Sequence, residues 1–254
     1  GKSQSLPYLL AESPREYECY IEPFLGGGAL FFALQPEKAK LNDSNSELIN
    51  TYGVVRDAHE ELIQALIPLK KAHSKDHYYE IRALDPKLLS KTERAARFVY
   101  LNKTCFNGLH RVNKQGQFNV PIGSYKNPNI IDEKNIVACS NALQGVELYN
   151  LDYVEFLRAH ASKGSFVYLD PPYIPVSEYS DFDRYTEGKF GTGNQIELAQ
   201  IYRELVRKGA YAVLSNSSSE LAEKLYSDFR SKRVFVPRAI NKVASKRGGV
   251  EELL

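Results

Sequence analysis

Short apolar runs alternate along this chain with stretches of helical period, and that alternation restricts the fold more than any other feature. Residues 19–22 read as a strand, followed by a glycine turn and the apolar run 29–34. Residues 38–41 read as a second strand, ending in Asn42-Asp43-Ser44-Asn45. Leu48, Ile49, Tyr52 and Val55 then repeat at the 3.6-residue period, which predicts a helix from about Ser46. Helical patterns continue over 60–69, 77–84 and 92–102, with Thr92 as the expected cap of the last. Further strands are expected at 146–149, 166–169, 211–214 and 234–236, and further helices at 153–160, 195–207 and 220–229. Alternation of this kind predicts an α/β fold, a largely parallel sheet with helices on both faces.

Residues 103–128 break the pattern. They are rich in Asn, Gly and Lys, and Asn113-Lys114-Gln115-Gly116 reads as a hairpin turn between short strands. The expected organisation is a sheet domain built from 1–55 and 145–254, interrupted by a helical and then basic domain over 56–144.

The net charge of +2 conceals an asymmetry. Residues 86–126 carry eight bases against Glu93 alone, and 229–250 carry seven bases and no acid. The remainder holds 18 bases against 30 acids. Two basic stretches on an acidic body, one interleaved with Tyr100, Phe106, Phe118 and Tyr125, point to a nucleic-acid partner over a pair of solvated loops. Three cysteines with no C-x-x-C pair argue against a disulfide framework or a thiolate zinc site, and suit a reduced, cytoplasmic chain. No apolar run approaches the length of a membrane span. His73 and His77, four apart among Lys71, Lys75 and Asp76, read as a solvated helix end and not as metal ligands. With no Met, position 1 is expected to lie inside a longer chain, and residues 250–254 to end within a strand.

Two motifs carry chemistry. Asp170-Pro171-Pro172-Tyr173 follows the apolar run Phe166-Val167-Tyr168-Leu169. By composition alone this tetrapeptide arises in about one chain in a thousand of such length. Its two prolines remove two backbone donors and hold the chain extended. The Asp170 carboxylate and the neighbouring carbonyls are then fixed at a strand's C-terminal end, where open α/β sheets bind ligands. Rigid acceptors beside the aromatic plate of Tyr173 suit an exocyclic amino group on a flat base. The second motif is Glu22-Pro23-Phe24-Leu25-Gly26-Gly27-Gly28-Ala29, in which Gly26 and Gly28 permit a tight turn and close backbone approach. Phe31 stands where the dinucleotide fingerprint wants its third glycine, which disfavours NAD. Asp43, closing the next strand, stands where an acid takes ribose hydroxyls.

These residues resemble the DNA adenine-N6 methyltransferases of the Dam type, over nearly the whole chain. The family's opening K-W-x-G-G-K is matched by its tail, Gly1-Lys2. Its cofactor loop is matched by 22–28, its ribose acid by Asp43 and its catalytic tetrapeptide by 170–173. Its recognition stretch resembles Phe106-Asn107-Gly108-Leu109-His110-Arg111-Val112-Asn113 and continues through Gly116-Gln117-Phe118-Asn119-Val120-Pro121 to Tyr125. Arg247-Gly248-Gly249-Val250-Glu251-Glu252-Leu253 resembles its closing motif. The order, with cofactor loop, recognition insert and then D-P-P-Y, is that of the alpha group of amino methyltransferases.

The resemblance implies a Rossmann-like sheet binding S-adenosylmethionine, with no metal, through Lys2, Glu22, Phe24, Gly26, Gly28, Asp43 and Asp170, with Asp152 or Tyr153 near its adenine. It implies that a target adenine, within GATC, is flipped from double-stranded DNA. Tyr173 would stack on that base, while Asp170 and the Pro171 carbonyl accept its amino hydrogens and Pro172 stiffens the turn. Asn107, Leu109, Pro121 and Tyr125 match positions that touch bases in the family, Phe106 would wedge into the stack, and Asn119 joins the DNA-binding set. The basic run 242–247, with Lys246 and Arg247, reads from its charge as phosphate contact over a localisation-type patch. Arg111 suits bidentate contact with guanine. Such an enzyme works either alone or beside a cognate restriction nuclease. The rival readings are an RNA or cytosine-N4 amino methyltransferase and a nucleotide triphosphatase. The last would read Gly1-Lys2-Ser3 as the tail of a phosphate loop, and it gives Pro171-Pro172-Tyr173 no task.

Overall fold

A computed structural model of the chain describes residues 2–113, 115–173, 190–237 and 249–254. The chain divides into two compact units, Gly1–Ser44 with Gly145–Leu254, and Asn45–Gln144.

The first unit is built on five strands. They are β1 (Cys19–Glu22), β2 (Ala39–Asn42), β3 (Glu147–Tyr149), β4 (Ser165–Leu169) and β5 (Tyr211–Leu214). All pair in parallel in the order β3-β2-β1-β4-β5. Every residue of β4 is buried, as a central strand covered on both faces must be. Alternation along the strands separates the two faces. Ile21, Val167, Leu169 and Leu214 join Phe156 and Leu157 of α8 (Tyr153–His160) and Leu198, Ile201 and Leu205 of α9 (Thr192–Arg207) in one aliphatic core. Tyr20 and Phe166 belong to an aromatic layer, with ring centroids 5.4 Å apart, which reaches Phe31 of α2 (Ala29–Leu34). α1 (Leu6–Glu12) precedes the sheet. After β5, a smaller antiparallel sheet has the order β6-β8-β7, from Asn216–Ser217, Gly249–Leu253 and Arg233–Pro237 respectively, with α10 (Glu220–Leu225) between β6 and β7.

The second unit is helical, with α3 (Ser46–Asp57), α4 (His59–Lys71), α5 (Lys75–Ala83), α6 (Lys91–Thr104) and α7 (Glu133–Ala142). Leu62, Leu66, Tyr78, Ala95, Ala96, Tyr100 and Leu101 are its buried apolar residues on α4 to α6. The Arg94 Nε bonds Glu47 at 3.1 Å and ties α6 to α3. Buried Arg97 donates to the carbonyls of Ile81 and Arg82 at 2.9 and 2.7 Å, satisfying the open end of α5. Val120 is pinned by Tyr78 Oη at 2.9 Å and Arg82 Nη1 at 3.2 Å, which anchors the turn-rich segment to the helices.

Several expectations need correction. α6 is capped by Ser90 and not Thr92, because Ser90 Oγ accepts from Glu93 N while Glu93 returns a bond to Ser90 N at 2.8 Å. That reciprocal box outcompetes a lone hydroxyl two residues later. α10 stops at Leu225 where 220–229 was expected, and Arg203 takes the Leu225 carbonyl at 2.7 Å. α1 and α7 were not expected as helices. Of the expected 113–116 hairpin turn, residue 114 lies outside the described residues; Asn113 N bonds Gln117 O at 2.9 Å, and among the described residues the flanks make only an isolated bridge, Val112 to Phe118. His73 bonds buried Tyr100 at 2.8 Å and is half-buried, so it is no freely solvated helix end. Among the described residues no helix is long and apolar enough to cross a membrane.

Candidate functional site

Parallel pairing brings the C-terminal ends of all five strands to one edge of the sheet. Chain order runs outward one way from β1 through β2 to β3, and the other way from β4 to β5. The loops after β1 and β4 therefore flank the point of reversal, the place where open α/β sheets open a crevice.

The loop after β1 holds the glycine turn. Gly26 and Gly28 have φ of 47° and 61°, a region that disfavours side chains. A Cβ on Gly28 would come within 3.1 Å of the Phe32 ring and 3.3 Å of Leu25, whereas one on Gly26 or Gly27 would meet nothing within 4 Å. The turn is thus packed on its inner side and bare on its outer side. Asp43 accepts the Gly26 N–H at 2.9 Å and so braces the turn from the end of β2. Buried Asn42 clasps the neighbouring loops, donating to the Pro23 and Leu151 carbonyls at 3.1 Å and accepting from Leu151 N at 2.8 Å. Glu22 is buried and accepts from Tyr20 Oη at 2.8 Å. Burial pushes its carboxyl well above the usual range, and the nearby Asp170 and Asp43 charges add to the effect. Phe24, Tyr153 and Phe190 form an aromatic cluster, with centroids 5.2 to 5.7 Å apart. Tyr153 Oη donates to Glu197 at 2.9 Å, and Asp152 caps α8 through Val154 N at 2.8 Å.

The loop after β4 begins where the sheet ladder ends. Ser215 N donates to Leu169 O at 2.8 Å, and the two prolines that follow Asp170 have no N–H with which to continue. Lys2 gathers the charges here, with its Nζ 3.1 Å from Asp170 Oδ1, 3.0 Å from Glu252 Oε2 and hydrogen-bonded to Tyr173 Oη. Buried Glu252 also accepts from Ser5 Oγ at 3.1 Å. Burial pushes the Asp170 carboxyl up to about 6, against the opposing pull of the Lys2 ammonium. Near neutral pH the site therefore presents an ionised acceptor on a rigid backbone beside an aromatic ring.

Of the expected site residues, Lys2, Asp170 and Tyr173 meet directly, Glu22 lies within the fields of Asp43 and Asp170, and Asp43 holds Gly26. Phe24 and Tyr153 meet one another. In the second unit, Phe106, Asn107, Leu109, Arg111, Asn119 and Pro121 fall on one turn-rich lobe. Phe106 N bonds Pro121 O at 2.9 Å, and Arg111 Nε bonds Asn119 Oδ1 at 2.7 Å. Asn107 takes φ 56°, and Phe106, Leu109 and Tyr125 are exposed. The Tyr125 ring lies so close over Gly123 that a Cβ there would be 2.5 Å from it. Lys246 and Arg247 lie outside the described residues.

Sequence reasoning missed Asn42 and Glu252 as residues of this site. Glu252 lay within the closing stretch already matched to a family, which was its one signal. Asn42 acts through partners remote in sequence, and nothing local marks it.

Residues 1–240 match the family model described as D12 class N6 adenine-specific DNA methyltransferase. The chain is 43% identical along its whole length to the type II methyltransferase M1.LlaDCHI of Lactococcus lactis subsp. cremoris, covering 91% of that protein. It is 40% identical along its whole length to the type II methyltransferase M.MjaIII of Methanocaldococcus jannaschii, covering 95% of it. It is 34% identical over 93% of its length to the DNA adenine methylase of Escherichia coli, covering 85% of that protein.

Proposed function

Because the chain belongs to the D12 class of N6 adenine-specific DNA methyltransferases, we propose that it moves the methyl group of S-adenosylmethionine to N6 of an adenine flipped out of duplex DNA, within GATC. The observation that best supports this reading is the meeting of Asp170, Lys2 and Tyr173 beside the glycine turn at the reversal of the sheet.

The residues fit the cofactor. Bare backbone at Gly26 and Gly27 leaves room for close approach, Phe24 and Tyr153 offer flat faces, and Asp43 and Lys2 offer opposite charges to its polar ends. Glu22, Gly28, Asp152 and Asp170 complete the set assigned to holding it. When bound, S-adenosylmethionine supplies an electrophilic methyl on a sulfonium. The chain's own work is positioning. Tyr173 stacks on the extruded base, offsetting part of the few kcal/mol lost on unstacking. Asp170 and the Pro171 carbonyl accept the two amino hydrogens, which draws the N6 lone pair out of conjugation and fixes its direction. Pro172 keeps that carbonyl from turning away. Such fixed geometry contributes ~7–11 kcal/mol of barrier reduction in favourable cases.

Duplex recognition is assigned to the 56–144 insert, with Phe106, Asn107, Leu109, Arg111, Asn119, Pro121 and Tyr125 toward bases. Lys246 and Arg247 are assigned to phosphate.

The test is transfer from methyl-labelled S-adenosylmethionine to a duplex with one GATC and to the same duplex with GTTC. Label in N6-methyladenine on the first alone is expected. Label on both discards the site, and label on neither overturns the reading and moves the assay to RNA.

A further inference from the structure

The tetrapeptide after β4 has an unusual problem of support. Pro171 and Pro172 cannot donate hydrogen bonds, so their backbone can be held in orientation only through carbonyls. Among the described residues one side chain supplies that hold. Gln195 Nε2 donates to the Pro172 carbonyl at 2.9 Å. Gln195 is fully buried on the first turn of α9, where its own N–H bonds Gly191 O at 3.1 Å.

A glutamine amide can face either way, and here its neighbours choose. Ser217 N–H, an unambiguous donor, points at Asn216 Oδ1 at 2.9 Å. Asn216 Nδ2 is thereby turned to donate to Gln195 Oε1 at 3.1 Å, which leaves Nε2 facing the Pro172 carbonyl, an unambiguous acceptor. The chain of amides is fixed in polarity from both ends, so neither side chain can flip without setting like atoms against each other. Asn216 and Gln195 are 1% and 0% exposed, so no bulk water competes for these bonds.

We infer that Gln195 and Asn216 are positioning residues. They clamp the Pro172 peptide, and through it the orientation of the preceding Pro171 carbonyl and the Asp170 carboxylate toward the amino group of the substrate. The inference rests on the function proposed above, because it assigns the clamp to the geometry of that transfer. Neither amide touches substrate on this reading.

Three variants test it, each assayed for methyl transfer to the GATC duplex beside the parent, with thermal midpoints recorded. Gln195→Leu keeps the bulk and removes the donor. It is expected to lower kcat roughly ten- to hundredfold with KM little changed, since slight misplacement of reacting groups is costly. Asn216→Asp should do the same, because a carboxylate cannot donate to Gln195 Oε1. Gln195→Glu supplies the signature that a merely structural role would not give. Its ionised form sets an acceptor against the Pro172 carbonyl, whereas its protonated form can donate there. The ratio of variant to parent kcat should therefore rise as pH falls, while the ratio for Gln195→Leu stays flat. A kcat within twofold of the parent in the Leu variant, or a flat ratio in the Glu variant, overturns the inference. If the parent itself transfers nothing, the functional reading fails separately. The clamp is then judged from a crystal structure of Gln195→Leu, where a rotated Pro172 carbonyl supports it and an unmoved one overturns it.

Discussion

At the scale of single residues, Asp170 joins burial to reactivity. Its folded value of about 6 lies above that of an exposed aspartate, so the fold favours the protonated acid, while the proposed chemistry needs the carboxylate. Stability contributed by this group is greatest below the ordinary aspartate range and is lost as pH rises through about 6, whereas activity is gained over the same interval. The acid limb of kcat/KM, which reports the free enzyme, is therefore expected to have its midpoint near 6. Lys2→Gln removes the cation that holds the value down and should move that limb to higher pH, as a pH–rate profile of both proteins would reveal. Arg111 poses a different residue-scale question. Its Nε is engaged by Asn119, which orients the guanidinium on the turn-rich lobe. Arg111→Ala should cost ~1–3 kcal/mol of discrimination at one base pair. Transfer measured on a panel of single-base variants of GATC checks this, and an equal loss on every sequence would reassign Arg111 to phosphate. The geometry of the tetrapeptide and of the glycine turn was legible because each depends on local backbone chemistry, whereas the bracing of Gly26 by Asp43 was not, since the two lie far apart in sequence. Gln195, Asn216 and Glu252 were not, because each acquires its role only when segments far apart in sequence fold together.

At the scale of elements, the strands were the easiest to read. β1, β4 and β5 are short apolar runs whose burial on a parallel sheet demands that composition. Helices with a strong apolar stripe, such as α4 and α9, were legible for the same reason. α7 was not, since its sequence offers little beyond Ile136 and Val137 as a stripe and depends on the Asp132 cap for its start. α1 begins beside a proline without a side-chain cap and carries no clear period. The cap of α6 was expected at Thr92, and the structure places it in the Ser90–Glu93 box. Ser90→Ala removes the hydroxyl that accepts from Glu93 N, leaves the backbone N–H bond to the Glu93 carboxylate, and should cost about 1 kcal/mol, measured by denaturant unfolding, whereas Thr92→Ala should cost markedly less.

At the scale of the whole molecule, charge is divided along the chain. Fifteen of the 33 bases fall in two stretches that carry a single acid between them. If the duplex is held through these stretches, the logarithm of the association constant should fall linearly with that of salt concentration. Exchanging exposed Lys103 and Lys126 for Gln should reduce the slope by about 1 for each one that meets a phosphate. An unchanged slope for both would remove them from the DNA interface. The net charge of +2 gave no hint of this, because the 30 acids and 18 bases of the remainder cancel it.

The second unit leaves the first after Ser44 and returns at Gly145, between two strands that are adjacent in the sheet, β2 and β3. All that the sheet requires of residues 45–144 is that they begin and end there. Closing a longer connection adds only about 0.6 kcal/mol for each doubling of its length. On the function proposed above, what reads the duplex and what transfers the methyl group can therefore be edited separately. On that reading, exchanging the segment between those two joints would give a new address on DNA and keep the same hand that writes the mark.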